Sequence, residues 1–561
     1  MGLSLVKKCF FLLFMLTAML FAENAHINKR HILYLMQAGK CKAALSKYQD
    51  YCKERKKSDF QLLQQLAWQI LERGASSSKE ETQQLALFGA GQAMSVRSLD
   101  ILSKGIFSSN AQNQVIAIHF LSFLQDDHID ELLVRAMSSQ FLLTRLEAAY
   151  EMTKRRHKCA LGQIESLMHR LPPFMKALFA QLIAAIGTPE STQFLKSLFH
   201  DNQIGVRIET ILSVTQNERD DFLAQIRSRI KQPNVAEQEA CCYALGKLKD
   251  SSSISLLQKM SHSSSENVRL ACYLSLYGLG ERSVKERIEK LAENGHLFAI
   301  YQLKNIDNSS ETLFNLLSSN DEAIKLNAAL ALLEKKDDRC LDVIKKWLLS
   351  EGNDVAIRPI FSMGRSMKAW HYITSASVRK EDLPYPMEAL VGIKQQILNK
   401  TRDLSEDAFC GFAELILKKK ERSLIPTIVA LLENLNSEKA ISILEKYSDD
   451  NTSPLVRDYC HLALFRMRQE KDGGKYIENW LLHQSQHERI KLQPFLPWQS
   501  RIDLDHFSLS PEEKSRLLIE MFYAFAQRQD EKSIDILVEA LKRGHENNRY
   551  VLAGLLLRSM E

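Results

Sequence analysis

The fold of this chain is decided by the stretch from Val268 to Gly280, which has the sequence VRLACYLSLYGLG. Its apolar residues recur at helical spacing and it ends in a glycine, a pattern typical of an amphipathic helix followed by a turn. One repeat earlier, the segment from Ala240 to Leu248 carries a similar series of small, aromatic and aliphatic residues. Two such segments about 30 residues apart predict a repeated helical unit.

A period of 31 residues runs from about Asn113 to Ala292. A column that starts at Leu121 is apolar in each repeat: Met152, Ile183, Val214, Leu245 and Leu276. A second apolar column starts at Leu133: Ile164, Leu195, Ile226, Leu257 and Ile288. A third column starts at Gln114 and is polar: Arg145, Lys176, Arg207, Gln238 and Arg269. A fixed period of this length is the signature of stacked helical hairpins, so we predict an all-α fold, an α-solenoid of antiparallel hairpins.

Each repeat is predicted to contain two helices separated by a break. The breaks fall near these residues: Asp126, Arg156, Gly187, Glu218, Lys249 and Glu281. Thr188 followed by Pro189 predicts a helix N-cap with proline at the first helical position. Ser263 with Glu266 predicts a capping box. After Gly295 the sequence predicts a shorter unit of about 28 residues, and the array then continues to about residue 350.

The chain divides into five predicted segments. A signal peptide at residues 1–22 and N-terminal helical hairpins at residues 23–105 precede the repeat array at residues 106–350. An irregular connector at residues 351–404 contains Pro359, Pro384 and Pro386. C-terminal helical repeats at residues 405–561 follow it. Glycine (21) and proline (12) are too scarce for a turn-rich β architecture of this length.

The stretch from Val268 to Gly280 resembles a HEAT-like repeat, and its short unit is similar to the phycobilisome-lyase type of that family. The resemblance implies a superhelix of paired helices in which the arginine of the valine-arginine pair ties neighbouring repeats together. The sequence departs from the family pattern before the valine, where Asn267, Gly205 and Leu455 replace an acidic residue. Near the N-terminus, the segment from Gly39 to Tyr48 resembles a tetratricopeptide hairpin.

The first 22 residues have the pattern of an export signal. Lys7 and Lys8 precede an uncharged, largely apolar run from Cys9 to Phe21, and Ala22 offers a small residue for cleavage. The run is too short to span a bilayer, which takes about 20 residues, and no second run of that length follows. We therefore predict export to a periplasmic or extracellular location with no transmembrane span in the mature chain. An uncleaved membrane anchor is the alternative.

Cysteine content does not indicate a disulfide-built protein. Nine cysteines remain after cleavage of the signal, and an odd number cannot all pair within the chain. Cys241 and Cys272 share a column, but helices in adjacent repeats usually lie too far apart for a disulfide, so both are predicted to be small core residues. A contact between Cys41 and Cys52 across a hairpin stays open.

Candidate chemistry is sparse in the sequence. The basic column at Arg145, Lys176, Arg207 and Arg269 has two interpretations, an anion-binding stripe or ties between repeats, and the second is favoured. His483 and His487 would share a helix face, but a zinc site needs at least a third ligand, so a solvated helix face is favoured. No P-loop, dinucleotide fingerprint or nucleophile elbow is present. We predict no catalytic site, no metal and no cofactor.

Two aromatic clusters lie in the irregular segments of the sequence. One contains Trp370 and Tyr372, and the other, rich in proline, contains Phe495 and Trp498. Aromatic side chains dominate the energetics of protein interfaces when they are exposed. These four residues are therefore the candidate partner contacts, with packing onto the array as the alternative.

The function predicted from these observations is that of an exported helical-repeat scaffold that binds a protein partner of unknown identity. The oligomeric state stays open. The net charge of +6 includes two lysines of the signal, and such a balance argues against a nucleic-acid partner. The alternative is an enzyme that resembles the HEAT-like lyases and acts on a bound small molecule.

Overall fold

The computed structural model describes residues 29–170, 176–349, 355–374, 387–449, 453–472, 474–492 and 513–560. Most of these residues lie in helices joined by short turns, which confirms the predicted all-α solenoid class. The predicted signal at residues 1–22 lies outside the described residues. Within the described ranges, no helix is long and apolar enough to cross a bilayer.

Residues 29–37 are helical, and labelled helices follow them along the chain. The first set is α1 Cys41–Arg55, α2 Phe60–Ala75, α3 Glu80–Gln92, α4 Leu99–Ile106, α5 Ala111–Leu121, α6 His128–Ala136, α7 Leu142–Lys154, α8 Cys159–Arg170, α9 Lys176–Ile186 and α10 Pro189–Leu198. The second set is α11 Ile204–Gln216, α12 Leu223–Arg229, α13 Val235–Lys247, α14 Ile254–Met260, α15 Glu266–Gly278, α16 Lys285–Glu293, α17 Leu297–Gln302, α18 Ser310–Leu316, α19 Glu322–Glu334 and α20 Leu341–Leu348. After strands β1 Val355–Phe361 and β2 Lys368–Thr374, the third set is α21 Met387–Thr401, α22 Glu406–Lys419, α23 Ile425–Leu435, α24 Glu438–Ser448, α25 Pro454–Arg466, α26 Lys475–His487, α27 Glu513–Arg528, α28 Glu531–Arg543 and α29 Asn548–Ser559.

The 31-residue period is present in the backbone as well as in the side chains. Helices α11, α13, α15 and α17 begin at a constant step of 31 residues: Ile204, Val235, Glu266 and Leu297. Left-handed residues recur at the same step after the first helix of each repeat: Arg156, Gly187, Glu218, Lys249 and Gly280. The next two, Asn308 and Lys336, each follow after 28 residues. The predicted breaks between Arg156 and Lys249 and the shortened unit are therefore confirmed, and the last break lies at Gly280, beside the predicted Glu281.

The first helices of successive repeats form a layer in which each helix packs on its neighbour. Helix α11 packs against α9 and α13, and α13 also packs against α15. The predicted apolar columns are confirmed as core, since Leu245, Leu257 and Ile226 are all fully buried. The second helices, such as α12 and α14, each pack along a first helix of the layer. This layer is the surface on which the strands lie.

The described residues form two compact units. One unit combines the described parts of Met1–Glu151 and Glu470–Glu561, and the other is Met152–Gln469. In the first unit the two ends of the chain share one core, because α29 packs against α2 and α3 and α28 packs against α1. Helices α3 and α29 touch through their backbones, since a Cβ atom added to Gly554 would lie 1.9 Å from the carbonyl oxygen of Gly89. This contact was not predicted from the sequence.

Strands β1 and β2 form an antiparallel hairpin within the second unit, in the segment that the sequence indicated as irregular. Their register places Pro359 opposite Trp370 and Ile357 opposite Tyr372. No strand was predicted at this position. The hairpin matters for function because it lies on the repeat array, as described below.

Two local predictions have different outcomes in the structure. The N-cap at Thr188 is confirmed, because its hydroxyl accepts from the backbone N–H of Ser191 at 3.2 Å and Pro189 begins the helix. The capping box at Ser263 is wrong, since the N-cap of α15 is Ser265, whose hydroxyl accepts from the N–H of Val268. The short turn before α15 therefore ends two residues later than the motif indicated.

The described cysteines are all free thiols, but one pair is closer than predicted. Cys242, and not Cys241, faces Cys272, with the two Sγ atoms 3.3 Å apart. Cys41 and Cys52 lie on a single helix, α1, and so do not face each other across a hairpin. Cys241 and Cys272 are both fully buried, as predicted.

Candidate interaction site

The β-hairpin lies on the layer of first helices within the Met152–Gln469 unit. Strand β2 packs against α17 and α19, and β1 packs against α21. The turn between the strands reaches α13, where a Cβ atom added to Gly364 would lie 2.7 Å from the carbonyl oxygen of Ala236. A glycine is therefore required at this point, because any side chain would collide with the helix backbone. The hairpin therefore contacts first helices of different repeats, namely α13, α17 and α19.

Asn327 of α19 holds the main chain of β2 through its side-chain amide. Its Nδ2 donates to the carbonyl oxygen of Trp370 at 2.8 Å, and its Oδ1 accepts from the N–H of Trp370 at 2.8 Å. Both main-chain groups of Trp370 therefore point away from β1. The facing residue on β1, Pro359, has no N–H to donate, which is tolerated because this pair makes no ladder bond. The amide of Asn327 acts as a neighbouring strand would.

The ring of Trp370 packs into the array instead of facing solvent. Trp370 is 5% exposed, and its ring meets that of Tyr301 edge-on with the centroids 6.4 Å apart. The Lys368 ammonium lies 4.2 Å from the centroid of the same ring. Packing, the alternative considered for this residue, therefore describes its ring, and contact with a partner stays a prediction. For Tyr372 the structure gives only the backbone position opposite Ile357.

The turn of the hairpin is fixed to α13 by a buried carboxyl group. The hydroxyl of Ser366 donates to Oε1 of Glu239 at 2.5 Å, and Glu239 is fully buried. Burial raises the pKa of Glu239, although hydrogen bonds from Ser362, Ser366 and the Gly364 backbone act in the opposite direction. The carboxyl group therefore holds its proton to a higher pH than an exposed glutamate would.

Beyond these anchors, the end of the hairpin projects apolar side chains into solvent. Phe361 is 39% exposed and Met363 is 70% exposed. Arg365 flanks them, with its guanidinium 5.9 Å from the Phe361 ring and 3.5 Å from a carboxylate oxygen of the buried Glu209. We call residues 361–365 the hairpin tip. The tip combines exposed apolar groups with a backbone that buried contacts hold in place.

A polar cluster joins the helices that the hairpin contacts. The Glu334 carboxylate of α19 accepts from the Tyr301 hydroxyl at 2.9 Å, and the ammonium groups of Lys304 and Lys400 approach it. Burial lowers the pKa of Lys304. Because Lys400 belongs to α21, this cluster joins the helix after the hairpin to the helices beneath it.

The remaining predicted sites are placed as follows. In the basic column, the Arg207 guanidinium pairs with Glu237 of the next repeat, as a tie between repeats requires, and Lys176 pairs with Asp201. Arg269 instead donates to the carbonyl oxygens of Ser263 and Ser264 in its own turn. These contacts favour the structural interpretation over an anion-binding stripe.

The histidine pair and the second aromatic cluster give little further information. The rings of His483 and His487 stack with their centroids 4.4 Å apart. Across the described ranges, no three His, Cys, Asp or Glu residues are placed to hold a metal ion. Phe495 and Trp498 lie outside the described residues, so their role as partner contacts stays a prediction.

The residues that hold and form the hairpin were not predicted from the sequence: Asn327, Glu239 and Met363. A signal for the strands was present, since residues 368–374 are rich in aromatic and β-branched residues and Gly364 marks a turn. Pro359 within the other strand argued against a strand there. The contact with Asn327 removes that objection, but it depends on residues distant in sequence.

Comparison with known proteins gives matches among solved structures alone. No family model and no curated protein matches the sequence. Solved structures that match include a homology model of the full-length AP-3 complex in an intermediate open conformation, at 13% identity and TM-score 0.30, covering 88% of this chain and 90% of that one. Kap121p bound to Ste12p matches at 12% identity and TM-score 0.31, covering 94% and 65%. The karyopherin Kap121p bound to the extreme C-terminus of the phosphatase Cdc14p matches at 10% identity and TM-score 0.29, covering 91% and 61%.

Proposed function

We propose that this protein is an exported helical-repeat scaffold that binds a protein partner, and that the hairpin tip is one of its partner contacts. This proposal is supported by the observation that apolar side chains of the tip are exposed while its backbone is held in place. Met363 and Phe361 project into solvent, while Gly364 and Ser366 beside them are held against α13. A fixed apolar projection loses little conformational freedom on binding, which favours affinity.

The chemistry of the tip defines the kind of partner surface that it fits. A methionine and a phenylalanine suit an apolar pocket, and methionine adapts to irregular apolar surfaces. Arg365 approaches Glu209, but its side chain is 57% exposed, so it also presents positive charge beside these apolar groups, which suits a pocket with an acidic rim. Isolated apolar residues are common on protein surfaces, so the proposal rests on the fixed backbone and not on exposure alone.

Site-specific crosslinking in cells tests this function. A photoreactive residue replaces Met363, and a matched control carries it at Gln258, an exposed position on α14 of the same unit. We expect one protein to be captured repeatedly from position 363 and not from position 258. That protein is then purified and its affinity measured for the unmodified chain and for Met363→Glu and Gln258→Glu.

We expect Met363→Glu to weaken binding by about tenfold or more, in the range of interface hot spots, and Gln258→Glu to leave it unchanged. Equal capture from both positions, or equal affinity of both variants, would refute a role for the tip. Fractionation of the same cells tests export separately. Protein confined to the cytosol would refute export without bearing on the tip.

A further inference from the structure

Cys242 and Cys272 lie on adjacent first helices and face each other inside the core. Their Sγ atoms are 3.3 Å apart and both residues are fully buried. Helices α13 and α15 are packed unusually closely at this level. The Ser275 hydroxyl donates to the carbonyl oxygen of Cys242 at 2.8 Å, so a side chain of one helix contacts the backbone of the other.

Gly246 explains the close approach of these helices. A Cβ atom added to Gly246 would lie 2.6 Å from the Cα atom of Ser275. Because this Cβ atom would lie one carbon–carbon bond from its own Cα atom, the Cα atoms of Gly246 and Ser275 are within about 4 Å of each other. Helices in contact are usually separated by about 8–10 Å between axes, with side chains between them, whereas here one backbone approaches the other directly. Cys242 and Cys272 lie one turn before Gly246 and Ser275, on the same contact line.

We propose that Cys242 and Cys272 form a disulfide between neighbouring repeats when the chain folds in an oxidising compartment. The oxidant is a disulfide donor of the thiol–disulfide exchange class, such as glutathione disulfide or a dithiol oxidase. One S–S bond forms in the protein and one breaks in the donor, whose two sulfurs receive the protons of the cysteine thiols. The two helices are already close enough for the short Cα separation that a disulfide requires.

Burial determines when this reaction occurs. The hydrogen bond to Cys272, together with burial, raises the pKa of the Cys242 thiol well above its ordinary value, so little thiolate exists after folding. Exchange with a donor therefore takes place while α13 and α15 are still forming. The bond would stiffen the repeat that holds the hairpin turn, because Glu239 lies one helical turn before Cys242 on α13.

The test compares the full chain in two compartments of one host. A heterologous export signal directs one preparation to an oxidising compartment, and the other stays in the reducing cytosol. This design makes the result independent of whether residues 1–22 export the chain. Thiol–disulfide exchange is stopped with acid, free thiols are then alkylated in denaturant near neutral pH, where the thiolate forms, and tryptic peptides are separated without reduction. The relevant peptides are 232–247, with Cys241 and Cys242, and 270–282, with Cys272.

We expect most of peptide 270–282 from the oxidising compartment to be linked to peptide 232–247, and all of it from the cytosol to be alkylated. Cys241→Ala, a matched change at the adjacent buried thiol, should retain the link, and Cys242→Ala should lose it. Alkylated peptides from both compartments would overturn the proposal. A link that survives Cys242→Ala and disappears in Cys241→Ala would also overturn it. The measurement on the unmodified chain decides the question even if a variant fails to fold.

Discussion

The contact between the two ends of the chain gives a sharp prediction about Gly554. This glycine lies in α29, and a Cβ atom at its position would meet the carbonyl oxygen of Gly89 at 1.9 Å. An ordinary contact of this kind is longer by more than 1 Å, so Gly554→Ala must push α29 away from α3. Both helices are buried on this side, and the displaced residues include Leu87 and Leu555.

The expected magnitude follows from two opposed effects. Overpacking a tight core costs about 1–3 kcal/mol, and a clash with backbone belongs at the upper end of that range. Replacing glycine by alanine inside a helix stabilises it by about 1 kcal/mol. The net expectation for Gly554→Ala is a loss of about 2 kcal/mol in the stability of the unit formed by the two chain ends. Gly89→Ala should have a similar effect, because its Cβ atom would meet the carbonyl oxygen of Tyr550 at 2.1 Å.

Gly411 supplies the matched control for the same chemical change. It lies within α22, and nothing lies within 4 Å of a Cβ atom added there. Gly411→Ala should therefore stabilise its helix by about 0.4–1 kcal/mol. Gly554→Ala and Gly411→Ala are the same chemical change, but the expected changes in stability have opposite signs. Steric contact at Gly554 accounts for the difference.

Hydrogen exchange read by mass spectrometry measures each unit separately. A loss of 2 kcal/mol corresponds to about 30-fold faster exchange of the protected amides in α3 and α29. In Gly554→Ala, the amides of α13 and α15 should keep their wild-type rates. Unchanged or slower amide exchange of α29 in Gly554→Ala would refute the contact between the backbones of α3 and α29. A destabilising effect of Gly411→Ala would refute the steric explanation of the difference.

Three further predictions concern the hairpin and one ion pair between a buried aspartate and a partly exposed arginine. Asn327→Leu leaves the buried N–H and C=O of Trp370 without partners, so docking of β2 should weaken by about 2–4 kcal/mol, read from amide exchange of residues 368–374. Glu239→Gln should flatten the pH dependence of the free energy of unfolding. Because the pKa of Glu239 is raised in the folded state, the stability that this carboxyl group contributes is full below about pH 4.5 and is lost as the pH rises through the folded-state pKa. Asp250→Ala should cost about 1–2 kcal/mol at pH 7, since Arg227 donates to Asp250 at 2.6 and 2.8 Å. Because that interaction lowers the pKa of Asp250, the difference from wild type should narrow as the pH falls below about 3.8 in urea-unfolding curves.

The periodic part of the fold was predictable from sequence because every repeat has the same local structural requirements. In every repeat the chain must end one helix, reverse its direction and bury the same apolar columns. The predicted breaks therefore coincide with left-handed residues in the structure: Arg156, Gly187, Glu218 and Lys249. Side chains are tolerated at these left-handed positions because tertiary packing fixes the turn. Periodicity therefore predicts neighbours one repeat apart with good accuracy.

Contacts between distant segments have no such signal in a single sequence. Gly554 and Gly89 are ordinary glycines within predicted helices, and only their joint position in space reveals why neither has a side chain. The same is true of the facing thiols. A column identifies which residues are buried. Which of those residues faces the next repeat depends on how closely the two helices pack, and in this pair Gly246 allows the close packing.

Glu239 shows how such a contact can nevertheless leave a trace in the sequence. It is in phase with Ile208 one repeat earlier and with Leu270 one repeat later, and both of these are buried apolar residues. A carboxyl group at a buried position is costly unless a hydrogen-bonding partner accompanies it, and the flanking repeats supply apolar residues there. A glutamate in an apolar column therefore indicates that something outside the repeats covers that position. In this chain the covering element is the hairpin turn at Ser366, which is why the proposed partner contact lies directly above the one repeat whose column is interrupted.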